Sequence, residues 1–355
     1  MPESKKESYK DIARQLIEEK PGRNMNVIYG GGRDFLGATI PQEEKVAFKG
    51  GAETTCVRKD KQNLVDKYLN QFEADMNVSY VKNTGEMLNL NHDEVDQVLG
   101  LFANNHLPYE SLRYEGPEGQ PSLTEMTRSA IRVLNNKKNR NGFLLMVEGG
   151  KIDHAHHQNH ARLALEEMVE FERSIQAAVA MTSDDTLIIV TADHAHSMIF
   201  NGYPTRGNDI LGVITKDKSQ PFETLVYATG PGIYMHTTSN DTNSSFIPLM
   251  NFTSEERHEP TYMHSSLVGM SDATHSGEDV GVYATGPGSN LVQGVFEQSY
   301  IPYIVSYAGC IGPLSNQNPA CRGEKIVKSS GRKMSPGTVL LVSLVCISVV
   351  VFLVV

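Results

Sequence analysis

The sequence predicts an α/β fold, in which a mostly parallel sheet is flanked by helices. Two observations support this class. Short apolar runs of strand length alternate with segments whose apolar residues recur at helical spacing. The chain has 355 residues, which is enough for one large α/β domain or two ordinary domains.

Each predicted strand is a short apolar run, and each predicted helix follows from apolar residues three and four positions apart. Ser122 and Glu125 form a capping-box pattern that starts one helix, and the helix that follows the third strand runs through Val179. Helices are also predicted around 64–72 and 95–102. Strands are predicted at 26–29, 78–81, 143–147, 187–190 and 280–285, of which 143–147 and 187–190 read as buried.

Composition excludes one class of partner. The chain carries a net charge of −10, and an acidic surface does not favour binding to nucleic acid. None of the four cysteines forms a C-x-x-C pair, so zinc binding through sulfur is not expected. Cys310 and Cys321 are close in sequence, and they are either a local disulfide, if the protein is secreted, or two reduced thiols.

The carboxyl-terminal segment has the pattern of a glycolipid (GPI) attachment signal. Small residues at 329–331 precede a polar spacer, and residues 338–355 are almost wholly apolar. We expect the tail to be removed and a lipid to hold the protein on the extracellular face of the cell membrane; the alternative is a plain tail-anchored helix. Sequons at Asn77, Asn240, Asn243 and Asn251 support an exterior location and a glycoprotein.

Residues 1–24 do not fit an exported protein, because they are polar and include no apolar secretory signal. The simplest hypothesis is that the amino-terminal part is missing and that Met1 is an internal methionine. The alternative is a cytosolic protein with a coincidental apolar tail.

Acidic residues and histidines follow two of the predicted strands. Glu148 ends the strand 143–147, and Asp153 and His157 lie four residues apart, on one face of a helix. Asp193 and His194 follow the strand 187–190, and the carboxyl ends of parallel strands gather at one edge of a sheet. A lone histidine is usually a surface or core residue, but two strands that each end in an acid and a histidine favour a zinc site with nitrogen and oxygen ligands.

The segments that carry these residues resemble the metal-binding segments of animal alkaline phosphatases. The resemblance rests on Val147-Glu-Gly-Gly-Lys-Ile-Asp-His-Ala-His-His157, on Thr191-Ala-Asp-His-Ala-His196 and on His275-Ser-Gly-Glu-Asp279. Residues 27–33 and 202–208 also resemble landmarks of that family, and the likeness covers about Asp11 to Cys310.

The resemblance implies a role for each site residue. Asp153, His157 and His275 would hold one zinc ion, and Asp193 with His194 would supply half of a second zinc site. Glu148 would bind magnesium, and His154 would orient a metal-bound water or phosphate, with weaker claims for His156 and His196. Because Ala103 and Gln120 stand where the family has acidic ligands, the resemblance gives no support for calcium.

The resemblance also implies the domain organisation. Residues 1–206 would form a partial metal-binding core, and residues 207–272 an exposed insertion that resembles the crown, where the subunits of the family's homodimer meet. Residues 273–322 would return to the core, residues 323–337 would be the spacer, and residues 338–355 the removed tail.

The family's nucleophilic serine lies in an Asp-Ser-Ala context, and no such triplet occurs in this chain. We therefore expect the full-length protein to hydrolyse phosphate monoesters through a zinc-activated serine, and this chain alone to be inactive. Two alternatives remain. One is a non-catalytic, GPI-anchored zinc-binding surface protein, and the other is a related metal hydrolase such as a sulfatase or a phosphodiesterase.

Overall fold

The computed structural model describes residues 9–38, 58–215, 221–236 and 252–322, together with the backbone of residues 349–354. The chain divides into two compact units. Unit 1 comprises Met1–Phe143 and Glu170–Met181, and unit 2 comprises Leu144–Val169 and Thr182–Val355.

Unit 1 contains a three-stranded parallel sheet with strand order β1-β3-β2. Its helix α4 begins with the predicted capping box. The backbone N–H of Glu125 donates a hydrogen bond to the Ser122 hydroxyl, and the backbone N–H of Ser122 donates one to the Glu125 carboxylate. The elements are α1 Ile12–Glu18, β1 Val27–Gly30, α2 Leu64–Asn70, β2 Val78–Val81, α3 Thr84–Leu88, β3 Gln97–Leu101 and α4 Leu123–Leu134.

The predicted helix around 95–102 is wrong, because these residues form the central strand β3. All five residues of β3 are buried. Val98 packs into one apolar cluster and Leu99 into another, as the opposite faces of a strand require. A strand covered on both faces needs apolar residues at nearly every position, and such a run also matches the helical spacing.

Unit 2 contains most of the short strands and the first nine residues of the long helix α6, whose remaining twelve residues belong to unit 1. The elements are β4 Leu144–Glu148, α5 Lys151–His157, α6 Ala161–Met181, β5 Leu187–Ala192, β6 Ala195–His196, β7 Met198–Phe200, β8 Val213–Ile214, β9 Phe222–Glu223, β10 Leu225–Gly230, α7 Gly232–Met235, α8 Ser254–Arg257, β11 Ser266–Gly269, β12 His275–Ser276, β13 Tyr283–Thr285, α9 Ile301–Ala308 and β14 Val349–Val354.

The largest sheet of unit 2 has strand order β13-β5-β14-β4. Because β14 runs antiparallel to both β4 and β5, these two strands run parallel to each other and their carboxyl ends share one edge. Smaller sheets have the orders β11-β10-β7, β12-β6 and β8-β9. The predicted α/β class is therefore confirmed, with a parallel sheet in unit 1 and antiparallel strands added in unit 2.

One face of β4 differs from the prediction of a buried strand. Leu145 and Val147 are buried, whereas Leu144 and Met146 are 51% and 63% exposed. The strand therefore alternates between a buried and an exposed face, although all four residues are apolar.

The segment 207–272 contributes more to the interior than an exposed insertion would. Leu225 and Tyr227 of β10 and Tyr262 are fully buried. Strand β10 pairs with β7 and β11, so its apolar side chains pack within unit 2. The domain boundaries stay a prediction, and Asn240, Asn243 and Asn251 lie outside the described residues.

The predicted disulfide between Cys310 and Cys321 is confirmed, with a Cα–Cα distance of 5.5 Å. At the carboxyl terminus, residues 349–354 form a strand. Residues 323–348 lie outside the described part of the chain. Among the described residues, no helix combines the length and the apolar character needed to cross a bilayer.

Candidate metal centre

Three separate segments bring the predicted site residues together in unit 2. Strand β4 ends at Glu148, and α5 starts after the two glycines that follow it, so Asp153 and His157 lie one helical turn apart. A side chain at Gly150 would approach the Glu148 carboxylate to 3.1 Å, so the turn favours glycine there.

The other two segments are joined by backbone pairing. Strand β5 leads into Asp193, His194 and β6. Strand β6 pairs with β12 in an antiparallel register that places His275 opposite His196. The carboxyl ends of β4 and β5 therefore lie beside the third segment, as the sequence argument requires.

Four side chains converge with their ligand atoms close together. Asp153, His157, His196 and His275 each direct one nitrogen or oxygen into a group whose members all lie within 4.8 Å of one another. The Asp153 carboxylate lies 3.2 Å from His275 Nε2 and 3.3 Å from His157 Nε2. His157 Nε2 and His275 Nε2 are 3.1 Å apart. Mixed nitrogen and oxygen ligands in such a group suit zinc.

Backbone contacts set the proton positions on two of the rings. His157 Nδ1 donates to the carbonyl oxygen of Ala273 at 2.6 Å, and His194 Nδ1 donates to that of Ala195 at 3.0 Å. In the neutral form each ring then presents an Nε2 lone pair. A hydrogen bond from the far nitrogen to a carbonyl is the usual support of a metal-binding histidine.

His196 has the opposite arrangement. Its Nδ1 accepts the backbone N–H of Ser197 at 3.2 Å, so the neutral ring carries its proton on Nε2. That nitrogen lies 3.3 Å from Asp153 Oδ1. His196 therefore stabilises the Asp153 carboxylate and offers no lone pair to a metal. The family resemblance supports His196 only weakly, and its place opposite His275 depends on strand pairing.

The electrostatics keep Asp153 ionised. Burial alone would raise its pKa, but the imidazoles of His196, His157 and His275 outweigh burial and lower the pKa of Asp153 to about 2. Asp153 Oδ1 and His196 Nε2 are both buried atoms without a hydrogen-bond partner among the described residues, although they lie 3.3 Å apart. A carboxylate oxygen left in this way fits a cation ligand.

Asp193, His194 and Glu148 lie at the edge of this group. His194 Nε2 is 3.4 Å from the Asp193 carboxylate and 3.8 Å from that of Asp153, and its ring stacks on His275 at 3.5 Å. Burial raises the pKa of Glu148, and the negative charges of Asp193 and Asp153 raise it further. Three carboxylates whose charges repel one another favour bound cations.

His154 and His156 are not among the converging ligand atoms of this group. His154 Nδ1 lies 3.4 Å from Lys151 Nζ on the same helix. His156 is buried, and burial lowers its pKa to about 3, so the ring is neutral. The structure thus brings Asp153, His157 and His275 together and places Asp193, His194 and Glu148 beside them.

Comparison with known proteins gives one family. The family described as "Alkaline phosphatase" matches residues 1–311. Alkaline phosphatase 4 of Drosophila melanogaster is 48% identical over 326 residues, which cover 89% of this chain and 54% of that protein. Membrane-bound alkaline phosphatase of Bombyx mori is 40% identical over 309 residues, covering 85% of this chain and 52% of that protein.

Among solved structures, an alkaline phosphatase from Thermus thermophilus matches with 30% identity and a TM-score of 0.42, over 54% of this chain and 34% of that one. The chain spans about half the length of the curated relatives it matches.

Proposed function

The chain belongs to the alkaline phosphatase family, and from that premise we propose that the protein hydrolyses phosphate monoesters at a zinc centre held by Asp153, His157 and His275. The observation that carries this proposal is the convergence of Asp153 and His157, both on α5, with His275, which lies 118 residues after His157. Their donor atoms are those that zinc prefers.

Zinc in such a site supplies Lewis-acid stabilisation of the negative charge on a phosphate group. The residues of this chain would prepare the site in three ways. Asp153 supplies a carboxylate that stays ionised over the working pH range. Ala273 holds the His157 ring with its Nε2 lone pair toward that carboxylate. His196 directs an N–H toward the same carboxylate from the other side.

We propose two further metal roles beside this centre. Asp193 and His194 would contribute to a second zinc site, and His194 Nε2 is prepared for it by the bond from Nδ1 to Ala195. Glu148 would bind magnesium, which would offset the repulsion that raises its pKa. His154 would orient a water or a phosphate.

The first test measures zinc binding to the 355-residue chain by competition with a chelator. We expect Asp153→Asn to weaken zinc binding by at least about 100-fold, because it removes the one anionic ligand. Asp209→Asn is the matched control, since Asp209 also pairs with a histidine, His258 Nε2 at 2.9 Å, but outside the metal centre. Equal affinities for the two variants would refute the assignment of the centre.

The second test measures turnover by the protein isolated from its native membrane. Phosphate monoesters, phosphate diesters and sulfate esters are compared, with and without chelator, and with zinc added back. We expect chelator-sensitive hydrolysis that is fastest for the monoester. Zinc binding without turnover would instead support a non-catalytic surface protein, and preference for a sulfate or diester would refute the proposed substrate class.

We also propose that the mature protein is a GPI-anchored homodimer on the extracellular face of the cell membrane. The support is the sequence of residues 329–355 together with a membrane-bound relative. Release from membranes by a phosphatidylinositol-specific phospholipase, followed by light scattering at the mass of a dimer, is the expected result. Protein that stays in the membrane after this treatment would contradict the lipid anchor.

A further inference from the structure

A buried tyrosine contacts the helix that carries two of the candidate metal ligands. It lies on a strand that is distant from that helix in sequence. Tyr227 is on β10 and is 1% exposed. Its hydroxyl lies 2.8 Å from Nδ1 of His156, whose ring is also almost fully buried. His156 precedes His157 on α5 but points away from the group of ligand atoms.

The His156 ring links the tyrosine to the metal centre through packing. Its centroid lies 5.1 Å from that of His196 and 5.8 Å from that of Tyr227. His196 in turn carries the N–H that lies 3.3 Å from Asp153. The three side chains therefore form a continuous buried path that ends at the Asp153 carboxylate.

Backbone pairing fixes the start of this path. Tyr227 is paired with Met198 in the β10–β7 register, and the Ala228 amide donates to the carbonyl of Ser197 at 2.9 Å. The position of Tyr227 is thus set by the strand that follows His196 directly. A shift of β10 would move the tyrosine hydroxyl and β7 together.

We propose that Tyr227 is a positioning residue of the metal centre, acting through His156. Its hydroxyl holds the His156 ring in one orientation, and that ring supports His196 with its Nε2 directed at Asp153. The inference rests on the proposed metal centre, since it concerns the residues that hold one of its ligands. Outer partners of metal ligands commonly change metal affinity by about 10–100-fold.

The test uses Tyr227→Phe, which removes only the hydroxyl. Tyr262→Phe is the matched control, because the Tyr262 hydroxyl is also buried in unit 2 and donates to Glu223 at 2.8 Å, but its path does not lead to His196. Both variants lose the hydrogen bonding of a buried tyrosine hydroxyl, so a purely structural effect would appear in both.

The readouts are the dissociation constants of zinc and cobalt, from chelator competition, and the visible absorption of the cobalt-loaded chain. We expect Tyr227→Phe to weaken metal binding about tenfold and to alter the cobalt spectrum. Tyr262→Phe should stay within about twofold of wild type, with an unchanged spectrum. Wild-type affinity and spectrum in Tyr227→Phe would overturn the inference while leaving the metal centre intact.

A double-mutant cycle with His156→Phe tests the path itself. If the tyrosine acts through His156, Tyr227→Phe should have little further effect in a chain that already carries His156→Phe. Additive losses would overturn this route. If Tyr227→Phe does not fold, His156→Phe alone should still weaken metal binding about tenfold. Absence of metal binding by wild type would refute the proposed centre, and the inference with it.

Discussion

His264 should make the stability of unit 2 depend on pH. The side chain is fully buried, and neither ring nitrogen has a hydrogen-bond partner in the described structure. Its ring packs edge-on against Tyr262, with centroids 5.1 Å apart. Burial lowers the pKa of His264 from its ordinary value of 6.5 to about 4.

The sign of the effect follows from proton linkage. The unfolded chain takes up a proton on His264 as the pH falls through about 6.5, whereas the folded chain resists until about pH 4. The stability that neutral, buried His264 contributes is therefore fully present above about pH 6.5 and is lost as the pH falls toward 4. The difference between a pKa of 6.5 and one of about 4 corresponds to about 3.4 kcal/mol, of which about 2.5 kcal/mol is lost between pH 7.5 and 4.5.

The substitution His264→Phe keeps a ring of similar shape and cannot take up a proton. Urea unfolding of both proteins is followed by circular dichroism at pH 7.5 and at pH 4.5. The difference in the free energy of unfolding between the two proteins at pH 7.5 gives the packing cost of the larger ring. This cost is subtracted from their difference at pH 4.5. We expect the variant to lose about 2.5 kcal/mol less than wild type on acidification.

The measured difference reports His264 together with its electrostatic interactions with Glu223, His236 and His160. If wild type and variant lose the same free energy of unfolding, to within about 0.5 kcal/mol, then the folded protein protonates His264 without penalty. That result would refute the reasoning that burial without a partner controls this group.

Three further predictions concern single features of the chain. His196→Ala should weaken zinc binding by about 10–100-fold in a chelator competition, and an unchanged affinity would contradict its support of the neighbouring carboxylate. Replacement of Cys310 and Cys321 by serine should lower the free energy of unfolding by about 3 kcal/mol in urea, because the bond restricts the unfolded chain by closing a loop with a sequence separation of 11; a loss below about 1 kcal/mol would contradict this. Ser122→Ala should cost about 1 kcal/mol by the same assay, with Ser183→Ala in a turn as control.

The shared face of Asp153 and His157 and the strand-end positions of Glu148 and Asp193 could be predicted because they depend on local geometry. The spacing of Asp153 and His157 places both on one face of any helix, and Glu148 and Asp193 follow strands whose apolar runs are clear in the sequence. The role of His196 could not be predicted in this way. It depends on the pairing of β6 with β12 and on the amide of Ser197, which are facts of tertiary structure.

The fold could be predicted where one period dominated the sequence. Helix α4 has a capping box and an apolar stripe, and both lie where the sequence places them. Strand β3 could not be distinguished from a helix, because its two covered faces remove the alternation that identifies a strand. For β4 the opposite holds: all four residues 144–147 are apolar, and only packing decides that Leu144 and Met146 lie on an exposed face.

The short segment 273–275 makes two separate contacts in the metal centre. These contacts explain why the centre depends on the fold of unit 2. The carbonyl oxygen of Ala273 accepts a hydrogen bond from Nδ1 of His157, while Nε2 of His275 lies within 3.2 Å of Asp153. A displacement of this segment would therefore misalign one ligand and remove another at the same time. Because α5 and β12 meet only in the folded chain, the metal can bind its full ligand set only there, and binding must stabilise that arrangement.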